Sequence, residues 1–361
     1  MEDESQPLPK NDDSQAISGL EGYQFTFGVS APSSSDDSFI EPDARYSHGS
    51  SFIPFFSINL LDSSSLSESV MDFPRQFGRT YHAYKEGSYA FPNDEVEQDR
   101  LALQDCAFTK AMGDKLYFAP LDDHPPRRIL DIATGTGDWA VSMGDRFPSA
   151  IVTATDLSPI QPDVVPTNVE FYVEDSSEPW NYSDTYDYIH TKTTGGCWES
   201  YETQIAQQAF ETLSPGGWFE SQECDSVPCC DDGTLKSDSA LALWFREFLH
   251  AGEEAKRPHS EGCKLKSIYE RVGFVDVHER RFKVPLNGWA KDQGLKEIGR
   301  LMEMNMQMGL SAFSLGLFNR IYGRTPEEIE VRELGFYQAS ADIGWIGTEV
   351  ANNEVTAGIS S

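Results

Sequence analysis

Short apolar runs alternate with longer amphipathic segments over most of this chain, from about residue 128 onward. Five runs have the length and composition of buried strands, near 128–133, 151–155, 169–173, 186–190 and 217–222. The segments between and after them repeat apolar residues at helical spacing, near 138–147, 201–213 and 237–256. This alternation predicts an α/β fold, a doubly wound parallel sheet with right-handed crossovers and helices on both faces.

Additional helices are predicted on either side of this sheet. Residues 64–127 form a predicted N-terminal helical cap, in which Asp94 followed by Glu97 indicates a helix start with a capping box. On the C-terminal side, a strand near 274–284 precedes a helical region that is rich in methionine at 302–308. We expect these methionines to line an acceptor pocket or to pack in the core.

Both ends of the chain depart from this pattern. Residues 1–63 are rich in Asp, Glu, Ser and Pro and poor in cations, so we expect an acidic disordered tail. The sheet domain is assigned to 128–335. After Glu333 the alternation is weak, and we expect 336–361 to be an atypical, poorly ordered tail without the strand that would close the sheet. The strand near 274–284 would then be an exposed edge.

Charge and composition exclude several classes of function. The formal charge of −31 over 361 residues disfavours direct binding to nucleic acid or to an anionic membrane, since both need a basic face. No export signal is visible, because the N-terminus is acidic and the apolar run Ile53–Leu61 is too short to span a bilayer. We therefore expect an intracellular protein, in the cytoplasm or the nucleus, that is not secreted. The six cysteines show neither zinc-type spacing nor a disulfide framework, and no metal site is predicted.

The segment RILDIATGTGDW at 128–139 joins the first predicted strand of the sheet to its helix through a glycine turn. Gly135 and Gly137 permit a sharp turn and a close approach of the backbone to a ligand. Together with Ala140 they also fit the dinucleotide fingerprint, which is a weak signal on its own. The loop therefore predicts a nucleotide-type cofactor without deciding which one.

Three carboxylates at successive strand ends decide between the cofactors. Asp131 precedes the loop, where it would repel a pyrophosphate but suits the cationic amino-acid end of S-adenosyl-L-methionine, directly or by ordering the loop. Asp156 lies about twenty residues further on and can accept both ribose hydroxyls. Asp175 can accept a hydrogen bond from the adenine amino group. Each acid alone is more often a helix cap or a solvated strand end, but together they predict S-adenosyl-L-methionine and make a nicotinamide dehydrogenase the weakest interpretation.

The candidates for catalysis and substrate binding carry less specific signals. His190 lies at the end of the fourth strand, where an imidazole suits a general base near neutral pH, although a hydrogen-bonded structural histidine explains it equally well. Glu223, at the end of the fifth strand, would bind polar groups of the substrate or lie in solvent. Tyr81, with His82, would close over the cofactor as a lid or contribute aromatic packing.

Several blocks of sequence resemble the fungal LaeA-like family of class I S-adenosylmethionine-dependent methyltransferases. These blocks follow one another in the family's order and are FGRTYHAYKEGSYAFPNDEVEQDRL at 77–101, DLSPIQP at 156–162, EPW at 178–180, YDYIHTK at 186–192, LSPGGWFESQE at 213–223 and CDDGTL at 230–235. The glycine loop departs from the family, because Ala133 stands where a first glycine is usual. We expect slightly altered loop geometry rather than loss of cofactor binding.

The resemblance implies a class I methyltransferase with a Rossmann-like sheet. For many members it implies methylation of a small-molecule acceptor in fungal secondary metabolism, which is the interpretation we favour. The alternative is a regulator like the family's namesake, which joins a nuclear complex with velvet-type proteins. An acidic tail would suit such a partner, but no basic nuclear-localisation run is visible.

Overall fold

The computed structural model of the chain describes residues 68–230, 235–342 and 352–359. The helices within these ranges are α1 (Glu68–Met71), α2 (Glu95–Ala111), α3 (Asp138–Arg146), α4 (Gln207–Thr212), α5 (Ala240–Glu254), α6 (Leu265–Val272), α7 (Gln293–Tyr322) and α8 (Pro326–Asp342). The strands are β1 (Arg75–Gln76), β2 (Arg79–Thr80), β3 (Arg128–Ile132), β4 (Ile151–Asp156), β5 (Val169–Val173), β6 (Tyr186–Lys192), β7 (Leu213–Cys224), β8 (Val275–Phe282) and β9 (Asn352–Gly358). No helix in the described ranges is both long and apolar enough to cross a membrane. The segment 1–63 lies outside them, so its predicted disorder stays a prediction.

Seven of these strands form one mixed sheet in the order β5-β4-β3-β6-β7-β9-β8. The first five in that order run parallel, and β9 runs antiparallel to both β7 and β8. Successive side chains of β3 point to opposite faces. Ile129 packs with Met143 of α3, and Leu130 packs on the other face with Ile268 of α6. The predicted doubly wound, Rossmann-like sheet with helices on both faces is confirmed.

The chain order of the strands reverses beside β3. In the sheet, β3 has β4 on one side and β6 on the other, so the chain leaves β3 first in one direction and later in the opposite one. In sheets of this kind the ligand crevice lies outside the carboxyl ends of the strands at the point of reversal. The ends of β3, β4, β5 and β6 are therefore the expected place for a site.

A helical cap is built from a segment before the sheet and from segments between its last three strands in the chain. The helices α2, α5, α7 and α8 share an apolar core that includes Phe108, Trp244 and Phe318. Met302 and Met306 belong to the same core, and none of the methionines lines the cleft described below. Met302 and Met306 thus have the core role, one of the two that were predicted, whereas Met304 is 50% exposed.

The start of α2 is correctly predicted, although its capping box is only half formed. The carboxylate of Asp94 accepts a hydrogen bond from the backbone N–H of Glu97 at 3.1 Å. The carboxylate of Glu97 instead accepts two hydrogen bonds from Arg100, at 2.9 and 2.7 Å. Arg100 also donates to Asn305 of α7 at 2.7 Å, so this buried polar group fastens α2 to α7.

The prediction that 336–361 lacks a closing strand is wrong, whereas the predicted poor order of 343–351 lies outside the described residues. Helix α8 extends to Asp342, and β9 lies hydrogen-bonded between β7 and β8, so β8 is not left unpaired. The weak alternation of β9 has a physical cause. Thr356 and Ala357 point to opposite faces of the sheet and are 2% and 0% exposed, so both faces are covered. A strand covered on both faces by larger neighbours needs no alternation of apolar and polar residues.

The substitution Ala357→Asp tests the closing strand. It places a carboxylate without a cationic partner at a fully buried position, and we expect the free energy of unfolding to fall by about 3–5 kcal/mol. The matched control is Val275→Asp on β8, at a position that is 41% exposed. It should lower the free energy of unfolding by less than about 1 kcal/mol. Urea unfolding of both variants measures the difference, and equally small effects would contradict a buried β9.

Candidate functional site

A cleft opens at the carboxyl ends of β3 to β6, with about 1320 Å³ of empty space including its mouth. Its walls are the loops that follow these strands, the beginning of α2, and the segment 82–92, which we call the strap. Asp131, Gly135, Asp156 and Asp175 all line this cleft, so four of the predicted cofactor residues meet there.

The loop after β3 turns sharply because Ala133, Gly135 and Gly137 all have positive φ, at 56°, 60° and 82°. A Cβ on Gly137 would lie 2.5 Å from the ring of Phe171, so no larger residue fits without displacing that ring. A Cβ on Gly135 would meet no protein atom within 4 Å, which leaves this side of the loop open to a ligand. Ala133 holds the conformation that a glycine adopts freely, at a cost of about 1–2 kcal/mol.

Asp131 is 2% exposed, and both of its carboxylate oxygens accept hydrogen bonds. One oxygen accepts from Nδ1 of His190 at 2.8 Å, and the other accepts from the hydroxyl of Thr134 at 2.6 Å. The first contact holds the carboxylate against β6, and the second holds the beginning of the glycine loop. Asp131 therefore orders the loop and places its carboxylate in the lining of the cleft.

Asp156 ends β4 and holds the glycine loop from the other side. Its two oxygens accept hydrogen bonds from the backbone N–H groups of Gly135 and Ser158, each at 2.9 Å. Burial raises the pKa of Asp156 to about 6, while these two hydrogen bonds act in the opposite direction by favouring the charged form.

Asp175 follows β5 and lies near an aromatic wall of the cleft. Its Oδ1 accepts hydrogen bonds from the backbone N–H and the hydroxyl of Ser177, at 3.0 and 2.6 Å. Trp198 lines the cleft as well, and its indole N–H donates to the hydroxyl of Ser176 at 2.9 Å. Trp198 was not predicted, because a single tryptophan in a loop carries no periodic signal.

The general-base prediction for His190 is not supported, since this residue does not reach the cleft. Its ring is 0% exposed and stacks on Trp139 with 3.6 Å between the ring centroids. A general base must come within about 2.6–3.2 Å of the proton that it removes. A fully buried ring bonded to Asp131 cannot do so in this conformation, and its contacts are those of a hydrogen-bonded structural histidine, the alternative interpretation.

Glu223 and Tyr81, the two candidates for substrate contacts, do not line the cleft either. Glu223 is 4% exposed, which also excludes the solvated alternative, and it accepts from the hydroxyl and the backbone N–H of Thr194 at 2.6 and 2.8 Å. Burial raises the pKa of Glu223 to about 7. Tyr81 is 8% exposed and lies beside Gly316 of α7, so packing explains it.

The strap is held by polar contacts that the sequence did not indicate. His82 lines the cleft, its Nδ1 donates to the carbonyl of Tyr84 at 2.7 Å, and its Nε2 accepts from the N–H of Tyr89 at 3.1 Å. Arg257, which also lines the cleft, donates from Nε to the carbonyl of Ser88 at 2.9 Å. The contact between Arg257 and Ser88 joins residues far apart in the chain, so no local spacing could reveal it.

Comparison with known proteins identifies the family. Residues 103–279 match the family described as a methyltransferase domain. The chain is 41% identical over 277 residues to "Methyltransferase pytC" of Aspergillus terreus, which covers 76% of this chain and 85% of that protein. It is 35% identical over 272 residues to "Secondary metabolism regulator laeA" of Aspergillus flavus, with 74% and 72% covered, and 33% identical over 329 residues to "Protein-methionine methyltransferase laeA" of Emericella nidulans, with 88% and 83% covered. The chain belongs to the LaeA-like methyltransferase family.

This LaeA-like protein is an S-adenosylmethionine-dependent methyltransferase. The cleft fits the cofactor, because its lining combines an open-faced glycine loop with carboxylates that suit a cationic ligand. When bound, the cofactor supplies a methyl group activated by a sulfonium. The chain must hold this group in line with a nucleophile and exclude water. Within the described residues, no cluster of His, Cys, Asp and Glu is arranged to hold a metal ion.

Two substitutions separate a positioning role of His190 from a catalytic one. His190→Leu removes a donor from the buried carboxylate of Asp131, so we expect a loss of about 1–3 kcal/mol in the free energy of unfolding, together with weaker binding of S-adenosylhomocysteine. His190→Asn keeps an N–H near the Nδ1 position and should recover part of the stability and part of the affinity for S-adenosylhomocysteine. Urea unfolding and calorimetric titration measure the two quantities, with His278→Leu on β8 as the exposed control. Parental stability and affinity in both variants would contradict the positioning role.

Proposed function

We propose that this methyltransferase acts on a small-molecule acceptor in secondary metabolism. The observation that carries the proposal is the extent of the cleft, which reaches from the carboxylates at the ends of β3, β4 and β5 to the loop after β6, to α2 and to the strap. An acceptor can therefore lie against a lining of its own beside the part that suits the cofactor. The similarity to the methyltransferase pytC and to regulators of secondary metabolism supports the same context.

We assign the cofactor to the half of the cleft that is bounded by β3, β4 and β5. Asp156 takes the ribose hydroxyls, since each of its oxygens retains accepting capacity beyond the one backbone hydrogen bond that it receives. Asp175 takes the adenine amino group. Asp131, with the loop at Gly135 and Gly137, holds the amino-acid end. The three acids lie at the ends of three neighbouring strands, which supports their acting on one ligand.

Asp156→Ala tests the ribose assignment. Loss of charge-assisted hydrogen bonds should weaken the binding of S-adenosylhomocysteine by about 1.5–3 kcal/mol. Calorimetric titration measures this loss, and Asp163→Ala, an exposed acid in the loop after β4, is the matched control. A variant that binds S-adenosylhomocysteine as tightly as the parent would contradict the ribose assignment. Asp156 would then serve only to hold the glycine loop.

The pKa of Asp156 adds a pH dependence to the same test. Because burial raises this pKa to about 6, the carboxylate is charged above about pH 7 and loses its charge as the pH falls through about 6. A protonated carboxyl accepts hydrogen bonds from the ribose less well, so the affinity of the parent should be constant above about pH 7 and decline below 6. Asp156→Ala should lack this decline, and an equal decline in parent and variant would contradict the assignment.

The acceptor is assigned to the other half of the cleft, toward β6 and the cap. Thr193 and Thr194 follow β6 and line this half together with Leu101 and Gln104 of α2 and Phe91 of the strap. Leu101 and Phe91 offer apolar surface and the two threonines and Gln104 offer polar groups, a mixture that suits a small molecule. Since neither His190 nor Glu223 lines the cleft, we propose that alignment of the two reactants, rather than a general base, is the main contribution of the protein.

A second candidate function is regulation of secondary metabolism through a protein complex. The identities of 33–36% to laeA-type proteins favour it. The name of one of these relatives, a protein-methionine methyltransferase, describes a protein acceptor for that relative. A velvet-type partner belongs to this alternative and stays a prediction.

A strain that carries the Asp156→Ala allele separates the two candidates. If the chain methylates a small molecule, one metabolite should be replaced by a form lighter by one CH₂ unit, while transcripts of biosynthetic genes stay unchanged. If it is a regulator, whole groups of metabolites and their transcripts should fall together. Mass spectrometry and RNA sequencing measure these outcomes, with an Asp163→Ala strain as control. A metabolite profile identical to the parent's would contradict the proposed function.

A further inference from the structure

One lysine and one arginine line the cleft, and they differ in their partners. Lys192 donates to the carboxylate of Asp105 and to the hydroxyl of Thr109, both on α2. Arg257 has no carboxylate within 4 Å among the described residues, and the one hydrogen bond of its side chain runs from Nε to the carbonyl of Ser88. A guanidinium carries five N–H donors. The four N–H groups on the terminal nitrogens of Arg257 therefore have no partner in the described part of the chain.

The backbone under Arg257 is fixed by close packing. Its N–H donates to the carbonyl of Gly252 at 2.8 Å, and the carbonyl of Pro258 accepts from the N–H of Gly196 at 2.9 Å. Neither glycine admits a side chain without displacing its neighbours. A Cβ on Gly252 would lie 2.8 Å from the carbonyl oxygen of Arg257, and a Cβ on Gly196 would lie 2.3 Å from the ring of His259. The arginine is thus placed between the loop after β6 and the strap without the help of a counter-charge.

The charge of Arg257 contrasts with the rest of the lining. Seven acidic side chains share the cleft, namely Glu97, Asp105, Asp131, Asp138, Asp156, Glu174 and Asp175. Glu97 pairs with Arg100 and Asp105 pairs with Lys192, and none of the seven pairs with Arg257. The side chain of Arg257 is half-buried and keeps unused N–H donors at the cleft. A carboxylate could accept from them, because its two oxygens match two N–H groups of a guanidinium in the bidentate geometry that arginine favours.

We propose that Arg257 forms a carboxylate subsite in the cleft, which binds a carboxylate of the acceptor or the α-carboxylate of the cofactor. The first of these sources, a carboxylate of the acceptor, rests on the proposed function and implies that the acceptor is an organic acid. Arg257 lies against the loop after β6, on the side that we assign to the acceptor, and its position there favours this source.

Calorimetric titration of Arg257→Gln, Arg257→Lys and the parent distinguishes the sources. The first arm compares S-adenosylhomocysteine with 5′-methylthioadenosine, which lacks the amino-acid part. The second arm compares benzoate with its neutral analogue benzamide, titrated into protein saturated with S-adenosylhomocysteine. Lys256→Gln removes the same charge one residue away, where the lysine is exposed and pairs with Glu199, and it is the matched control.

For an acceptor carboxylate, Arg257→Gln should weaken benzoate about tenfold or more, and leave benzamide and S-adenosylhomocysteine unchanged. For the cofactor's carboxylate, S-adenosylhomocysteine should weaken to a similar extent and 5′-methylthioadenosine should not. In either case Arg257→Lys should recover part of the loss, because it keeps the charge without the bidentate geometry. Thermal melting of each variant checks that it is folded.

Two results would overturn the subsite. One is parental affinity of Arg257→Gln for both S-adenosylhomocysteine and benzoate. The other is a loss shared equally by the charged and neutral probes, which would leave Arg257 as a brace of the strap. A different experiment tests the proposed function, namely the search for a metabolite that lacks one CH₂ unit in the Asp156→Ala strain. A strain that shows this metabolite, together with an Arg257→Gln protein of parental affinity, would reject the subsite alone.

Discussion

The contact on which the site depends is the buried hydrogen bond between Asp131 and His190. Taking a carboxylate out of water costs several kcal/mol, and the donors from His190 and Thr134 offset this cost. The two residues face each other in the register of the parallel pair β3 and β6. A slip of one residue would turn one of them to the other face of the sheet. The placement of the glycine loop therefore follows from the pairing of the two central strands.

The second wall of the cleft depends on contacts between distant segments. Arg100 of α2 joins Asn305 of α7, and Arg257 after α5 joins Ser88 of the strap. Polar groups around an apolar core thus hold the parts of the cap together. Residues that also line the cleft attach the cap to the sheet domain. One consequence is that the sheet alone fixes the cofactor acids, whereas the acceptor half exists only when the cap has folded onto the sheet.

The sequence predicted the features that are encoded locally and missed those that are not. Strands β3 to β7 and the acids Asp131 and Asp156 follow from apolar runs and from what stands at their ends. The role of His190 could not be predicted in this way, because a residue at a strand end gives the same sequence signal whether its ring enters the cleft or packs beneath it. Strand β9 was missed since it is covered on both faces and carries no alternation. Arg257 gave no signal because its contacts join the strap to a loop far along the chain.

Glu223 shows that the loop after β6 is held at a cost to stability. The ordinary pKa of this carboxyl is 4.5, and burial raises it to about 7 in the folded protein. Between these values the folded state keeps a proton that the unfolded state releases, so the contribution of Glu223 to stability falls as the pH rises from 4.5 to about 7. The same carboxyl receives the N–H and the hydroxyl of Thr194, a residue that borders both the cleft and the smaller cavity beside Glu223. An apolar residue in place of Glu223 would avoid the cost of burying a carboxylate, but it would leave the N–H of Thr194 without its acceptor. We therefore explain Glu223 by its role in placing the loop on the acceptor side of the cleft.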